Sequence, residues 1–171
     1  GAKAVMSSRR RRISSDTSGG GNASFVLVDA RGPVTLSSGS KLSSESSDFG
    51  DAGYIEVNGS QVTLDNATLS SANDFLSDGA AGSVTLNSTG PVVIRNSSKI
   101  STTTNNAKSA GDIVIQGSRI SISSSTVESE AWDAGAAGNI RLEATERIDL
   151  ANSLVTAEPR DVEFYRGNIL E

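Results

Sequence analysis

The sequence predicts an all-β chain wound as a single-stranded, right-handed parallel β-helix, a solenoid of about five and a half coils with three short strands in each coil of 27–29 residues. Three observations predict it. A phrase close to Ala-Gly-x-Ile-x-Val recurs at near-constant spacing. Within each copy, apolar residues stand two apart with polar residues between them, the period of a strand. No stretch of ten or more residues carries the 3.6 period of a helix.

The phrase opens each coil. It reads Ala52-Gly53-Tyr54-Ile55-Glu56-Val57, then Ala81-Gly82-Ser83-Val84-Thr85-Leu86, Ala110-Gly111-Asp112-Ile113-Val114-Ile115 and Ala137-Gly138-Asn139-Ile140-Arg141-Leu142, with a degraded copy at Ala23-Ser24-Phe25-Val26-Leu27-Val28. Ser24, Gly53, Gly82 and Gly111 follow one another at intervals of 29 residues, and Gly138 lies 27 beyond Gly111. The second strand of each coil gives Val34/Leu36, Val62/Leu64, Val92/Ile94, Ile120/Ile122 and Ile148/Leu150. The third aligns Leu42, Leu69, Ile100, Val127 and Val155, with Ser40, Ala67, Ser98, Ser125 and Ser153 two residues earlier and Ser44, Ser71, Thr102, Ser129 and Ala157 two later. One such coil cannot bury its inward row alone, but stacked copies bury it between them. Each large aliphatic so placed contributes roughly 1.5–3 kcal/mol.

The connections agree with strands. Between the first and second strand lie short turns such as Arg31-Gly32-Pro33 and Thr89-Gly90-Pro91, where Pro at the start of a strand costs no ladder bond. The longest connection precedes each Ala-Gly: Glu45 to Asp51, Asn73 to Ala80, Thr104 to Ser109, and Glu130 to Ala136. Length variation confined to one corner disturbs no ladder.

Composition narrows the function classes. Lys+Arg 15 against Asp+Glu 20 gives a net charge of −5, with no Cys and no His. Disulfides, Cys- or His-ligated metals and His-based catalysis are therefore excluded. About 30 serines and 17 glycines suggest disorder by composition alone. In register they become corners and small inward sites, where a hydroxyl bonds backbone groups. No apolar run approaches the roughly 20 residues of a membrane helix, and residues 1–8 lack the apolar segment of a secretory signal.

Domain bounds follow. Ile13 lies 29 before Leu42, so the coils are expected over residues 13–157, after a frayed basic segment at 1–12 that contains Arg9 to Arg12. An acidic body with one local Arg run argues against nucleic-acid binding. After Ala157 the pattern is lost at Glu158-Pro159-Arg160, and residues 158–171, with Val162, Phe164, Tyr165, Ile169 and Leu170, are read as a tail or partial cap.

The repeat, with phrases such as Ser109-Ala110-Gly111-Asp112-Ile113-Val114-Ile115 and Asn152-Ser153-Leu154-Val155-Thr156-Ala157, resembles the filamentous-haemagglutinin-like exoproteins over Ile13 to Ala157. These are large bacterial surface proteins exported by two-partner secretion through an outer-membrane barrel. The resemblance implies an extracellular stalk or adhesin at the bacterial cell surface, without catalysis or cofactor. Its partners would be a host or cell-surface glycan or protein, or neighbouring coils of a larger parent, together with the barrel transporter for export. The family's Asn-Pro-Asn secretion motif does not occur in this chain, which therefore reads as an interior piece or a truncated relative.

Candidate chemistry is sparse. Phe49, Phe75 and Trp132 occupy three of the long corners, where aromatics beside polar groups suit a glycan or protein contact; the alternative is that each ring folds over its own loop. Phe25 and Tyr54 are outward neighbours in adjacent coils and are expected to stack. Glu128, Glu130 and Asp133 are the nearest approach to a catalytic carboxylate cluster, as a β-helical polysaccharide lyase or glycosidase would need. Asp48, Asp51, Asp74, Asp78 and Asp133 stack oxygen ligands in one corner, but without the nonapeptide of calcium β-rolls they read as a solvated acidic edge. The outward column Thr35, Thr63, Val93, Ser121, Asp149 breaks after two threonines, so an ice-binding array is rejected.

Overall fold

The computed structural model describes residues 4–6, 11–73 and 78–160, and it is a parallel β-solenoid of about five turns. In chain order the strands are β1 (Ala4–Met6), β2 (Arg12–Ser14), β3 (Val26–Asp29), β4 (Val34–Ser46), β5 (Ile55–Gly59), β6 (Val62–Asn73), β7 (Val84–Ser88), β8 (Val92–Arg95), β9 (Lys99–Thr104), β10 (Ile113–Ser123), β11 (Thr126–Trp132), β12 (Ile140–Ala151) and β13 (Leu154–Arg160). Among the described residues there is no helix, and every strand pairing is parallel.

The register is the sequence repeat. Val26 pairs Ile55, Ile55 pairs Val84, Val84 pairs Ile113, and Ile113 pairs Ile140. The second column runs Val34, Val62, Val92, Ile120, Ile148, and the third Leu42, Leu69, Ile100, Val127, Val155. Stacking puts these side chains in one core: Ile55, Val84, Leu64, Ile94, Ile100, Ile113, Ile120 and Val127 are all 0% exposed. In the last described coil Ile148 and Leu150 are 42% and 53% exposed.

The strand boundaries differ between coils. Only the third coil has three separate strands (β7, β8, β9). In the first two, the second and third segments fuse through the corner as β4 and β6; in the last two, the first and second fuse as β10 and β12. Pairing survives these corners because a register shift absorbs each bend, between Ser37 and Ser40 and between Gly117 and Arg119.

Between the second and third segments the backbone turns through the left-handed region. Ser38 (φ 60), Asn66 (φ 53), Asn96 (φ 58), Ser97 (φ 61), Ser124 (φ 47) and Asn152 (φ 50) occupy this corner in successive coils. Left-handed geometry disfavours L residues, and Asn tolerates it best because its short amide bonds locally. This is why Asn and Ser, rather than larger residues, mark the corner.

Close approach explains the glycine of the Ala-Gly phrase. A Cβ on Gly82 would lie 2.3 Å from the carbonyl oxygen of Gly53, and one on Gly111 would lie 2.1 Å from that of Gly82. The inward serines complete the seam. Ser71 Oγ donates to Gly53 O (2.9 Å) and accepts from Gly82 N (2.9 Å); Ser129 Oγ donates to Gly111 O (3.1 Å) and accepts from Gly138 N (2.8 Å). Ser44 bridges Ser24 O and Gly53 N in the same way, at 2.9 Å each.

The ladder extends past the expected bounds at both ends. Ala4–Met6 pairs in register with Val34–Leu36, so a rung of the second column lies ahead of Ile13. Lys41 N donates to Arg11 O (2.8 Å), and Arg12 pairs Lys41, so part of the basic run is strand. Arg11, which the template turns inward, is exposed. Arg9 and Arg10 lie outside the described residues. At the other end, Glu158 to Arg160 continue β13 against β11, and the missing N–H of Pro159 breaks no ladder with a described strand. Residues 161–171 lie outside the described residues.

Candidate functional site

The outer face of the third segments is a polar sheet. Its columns read Lys41, Thr68, Lys99, Thr126, Leu154 and then Ser43, Ser70, Ser101, Glu128, Thr156. Alternation along β11 turns Val127, Ser129 and Ala131 inward, and therefore puts Glu128 and Glu130 on the same outer face. Both are buried, at 8% and 7% exposure, and Glu128 is ion-paired with Lys99 from the coil below. Asp133 stands away from them, exposed in the loop with φ 62. The three carboxylates therefore do not converge: two sit in the sheet, one of them neutralised by a lysine, and the third belongs to a turn.

Other charged groups on the surface are also engaged. Arg95 Nε and Nη2 donate to Asp65 Oδ2 (3.0 and 2.8 Å), and Asn96 Nδ2 donates to Asp65 Oδ1 (2.7 Å). The Asn96 bond chiefly holds the Asp65 carboxyl below its ordinary range, opposed by burial and helped by the Arg95 bond and charge. A groove of about 410 Å³ is lined by Asp16, Thr17, Glu45, Ser46, Asn73 and Asn105 among others. Its two carboxylates are already spoken for: Asp16 by Arg12 and Ser43, Glu45 by Lys41.

The long corner uses its acids as backbone acceptors. Asp48 Oδ1 accepts from Phe49 N (3.0 Å), Asp51 Oδ1 from Ala80 N (2.8 Å), and Asp112 Oδ1 from Asn139 N (2.7 Å). Among the described residues no three His, Cys, Asp or Glu side chains gather as a metal site. Asp74 lies outside the described residues.

The aromatic candidates are dispersed. Phe49 stands 67% exposed in the corner after β4. Trp132 closes β11, half-buried, on the rung of Arg160. Three coils separate the two corners, about 14 Å at the ordinary strand spacing, so they make separate contacts rather than one pocket. Phe75 lies outside the described residues.

The larger apolar surface is elsewhere. Phe25 and Tyr54 stack with centroids 5.2 Å apart and planes 11° from parallel. They nevertheless remain 51% and 42% exposed, and Leu27, two residues along the same outer face, is 50% exposed. The sequence pattern predicts the stack but not the exposed surface around it. The signal was available: Phe25, Leu27 and Tyr54 are the outward apolar residues of the first two coils, where later coils place Ser83, Asp112 and Asn139 beneath the rings.

No protein-family model, curated protein or solved structure matches this chain.

Proposed function

We propose that the chain is a structural and adhesive repeat module of a secreted bacterial surface protein of the filamentous-haemagglutinin-like kind, acting outside the cell and without catalysis. In this reading the parent is exported through an outer-membrane barrel, and the rod binds a glycan or protein on a cell surface by its outer face. The observation that carries the reading is the evenness of the solenoid. Its third-segment face is built mostly of Lys, Thr and Ser in stacked columns, with Glu128 and Leu154 in the later coils, and Phe25, Leu27 and Tyr54 form an exposed apolar patch on the first-strand face. Rigid, repetitive rods present such patches at fixed height, and exposed aromatics beside polar groups are what recognition surfaces use.

The competing reading is a fragment of a carbohydrate-active β-helix enzyme working through Glu128 and Glu130. One experiment separates them. Beads coated with the purified chain should adhere saturably to cells or immobilised glycans, and less so when Phe25 and Tyr54 are both changed to Ala. Release of reducing ends from a polysaccharide panel, abolished by Glu128→Gln with Glu130→Gln, would overturn the adhesive reading in favour of the enzyme. Absence of adhesion to every surface tried would overturn it as well.

A further inference from the structure

A groove runs along the corner between the first and second strands of the coils. One stretch of about 360 Å³ lies beside Asn58, Asn87 and Thr89. A second, of about 740 Å³, continues from Thr89 past Gln116 and Ser118 to Glu143. The two share Ser88, Thr89 and Gln116, so they form one channel along the rod. From Arg31 to Thr145 it crosses four coil steps, roughly 19 Å at the ordinary strand spacing. Its floor is backbone. Gly59 and Gly117 lie between the two walls, and a Cβ on either would point into the coil, 3.0 Å from the side chain of Val34 or Val92.

Each wall repeats once per coil. On one side Asn58, Asn87 and Gln116 are ladder partners on successive coils. On the other stand Ser60, Thr89 and Ser118, at intervals of 29 residues. The amides form a ladder that breaks in the middle. Asn87 Nδ2 donates to Asn58 Oδ1 (3.0 Å), but Gln116 Nε2 donates the other way, to Glu143. Asn87 Oδ1 is thereby left buried without a hydrogen-bond partner among the described residues, although buried acceptors are nearly always satisfied. The hydroxyls of Ser60, Thr89 and Ser118 also make no hydrogen bond among the described residues. The fold does not use them.

We propose that this corner groove binds a linear, uncharged polysaccharide lying along the rod axis, with about one sugar per coil. It rests on the adhesive reading, to which it adds a second contact distinct from the Phe25, Leu27 and Tyr54 patch. Side-chain amides and hydroxyls each offer a donor and an acceptor without charge, as ring hydroxyls do. Each sugar can therefore bridge the amide wall and the hydroxyl wall, and a hydroxyl entering between Asn87 and Gln116 supplies the donor that Asn87 Oδ1 lacks. Among the described residues lining the groove only Arg31 and Glu143 carry charge, and they stand at opposite ends. A peptide fits less well. Ser60 N, Thr89 N and Ser118 N already donate to Gly32 O, Gly59 O and Gly90 O of the preceding coil, so these amides give no free ladder edge for an added strand. The step between rungs, about 4.8 Å, is close to the advance of one pyranose in an extended chain. A repeating ligand thus meets the same pair of groups at successive rungs.

Titration calorimetry on the full chain tests this, with cello-, manno- and N-acetylated chito-oligosaccharides, monosaccharide to hexasaccharide, as the probes. At least one series should bind, with affinity rising until about four sugars fill the groove and then levelling off. Thr89→Val with Ser118→Ala should weaken that binding roughly tenfold or more, since two hydroxyl contacts are lost. Neither side chain is buried, and neither hydroxyl is bonded within the fold, so the unfolding midpoint should stay where it is. Phe25→Ala with Tyr54→Ala should leave the titration unchanged, because neither ring lines the groove. Binding that ignores the Thr89 and Ser118 changes would overturn the groove and leave adhesion by the rod standing. So would binding confined to uronic-acid or sulfated oligosaccharides, or to an extended Ser/Thr-rich peptide. Failure of every neutral series would overturn it as well. Bead adhesion that persists in that case keeps the adhesive reading without the groove, and its loss removes both.

Discussion

At the scale of single residues, the fold depends on places where an atom is missing or a hydroxyl is exact in position. The glycine seam is the first kind. Gly82→Ala puts a Cβ against the Gly53 carbonyl at 2.3 Å, and neither backbone can yield without disturbing its ladder. The expected loss is at least about 2 kcal/mol. Gly20→Ala meets nothing within 4 Å and should change stability by less than about 0.5 kcal/mol. Urea unfolding of the pair measures the contrast. Asp65 is the electrostatic case. Its carboxyl is held below the ordinary value of 3.8, chiefly by Asn96 and then by Arg95. A depressed folded pKa means that the ionised form contributes stability above 3.8 and that this contribution is lost as pH falls through the lowered value. The unaltered chain should therefore exceed Asp65→Asn by about 0.5–1 kcal/mol near neutral pH. The difference should shrink towards zero in acid, which unfolding at a series of pH values will show.

At the scale of the elements, one column serves as its own control. Ile94 on β8 and Leu150 on β12 occupy the same inward column, but Ile94 is 0% exposed and Leu150 is 53% exposed. Ile94→Ala should cost about 2–4 kcal/mol, because a cavity opens between two coils. Leu150→Ala should cost under about 1 kcal/mol, since much of that side chain is already wet. Chemical denaturation of the two variants decides it. The columns were legible in the sequence because burial between stacked coils imposes a strict two-residue alternation, and alternation survives any change of residue that keeps its size. The joins were not. Val34 to Ser46 reads as two strands and folds as one, since Ser38 and Gly39 turn the chain through left-handed geometry and the pairing resumes at Ser40 after a register shift. Side-chain identity reports which residues are buried, not whether hydrogen bonding continues round a bend.

At the scale of the whole molecule, the solenoid converts sequence period into surface period, and that limits what sequence can say of a site. Phe49 and Trp132 were visible as corner aromatics, yet they sit three coils apart, while Phe25, Leu27 and Tyr54 form the shared apolar surface because adjacent coils bring residues 29 apart into contact. Glu128 and Glu130 belong to the sequence's nearest approach to a carboxylate cluster, which compels no acid/base pair, and only the pairing of β11 with β9 reveals that Lys99 engages the first. The same winding has a mechanical consequence. Each coil adds only about 4.8 Å to the height of the rod, but its 27–29 residues span on the order of 90–100 Å when drawn out straight. A load pulling the two ends apart meets the ladder one coil at a time, as each coil is bonded only to its neighbours. Single-molecule stretching should therefore give a sawtooth of steps near 90 Å rather than one all-or-none extension. As a tether between two surfaces, such a rod would be stiff under small forces and would lengthen about twentyfold per coil once they are exceeded, dissipating work at every step before the attachment itself lets go.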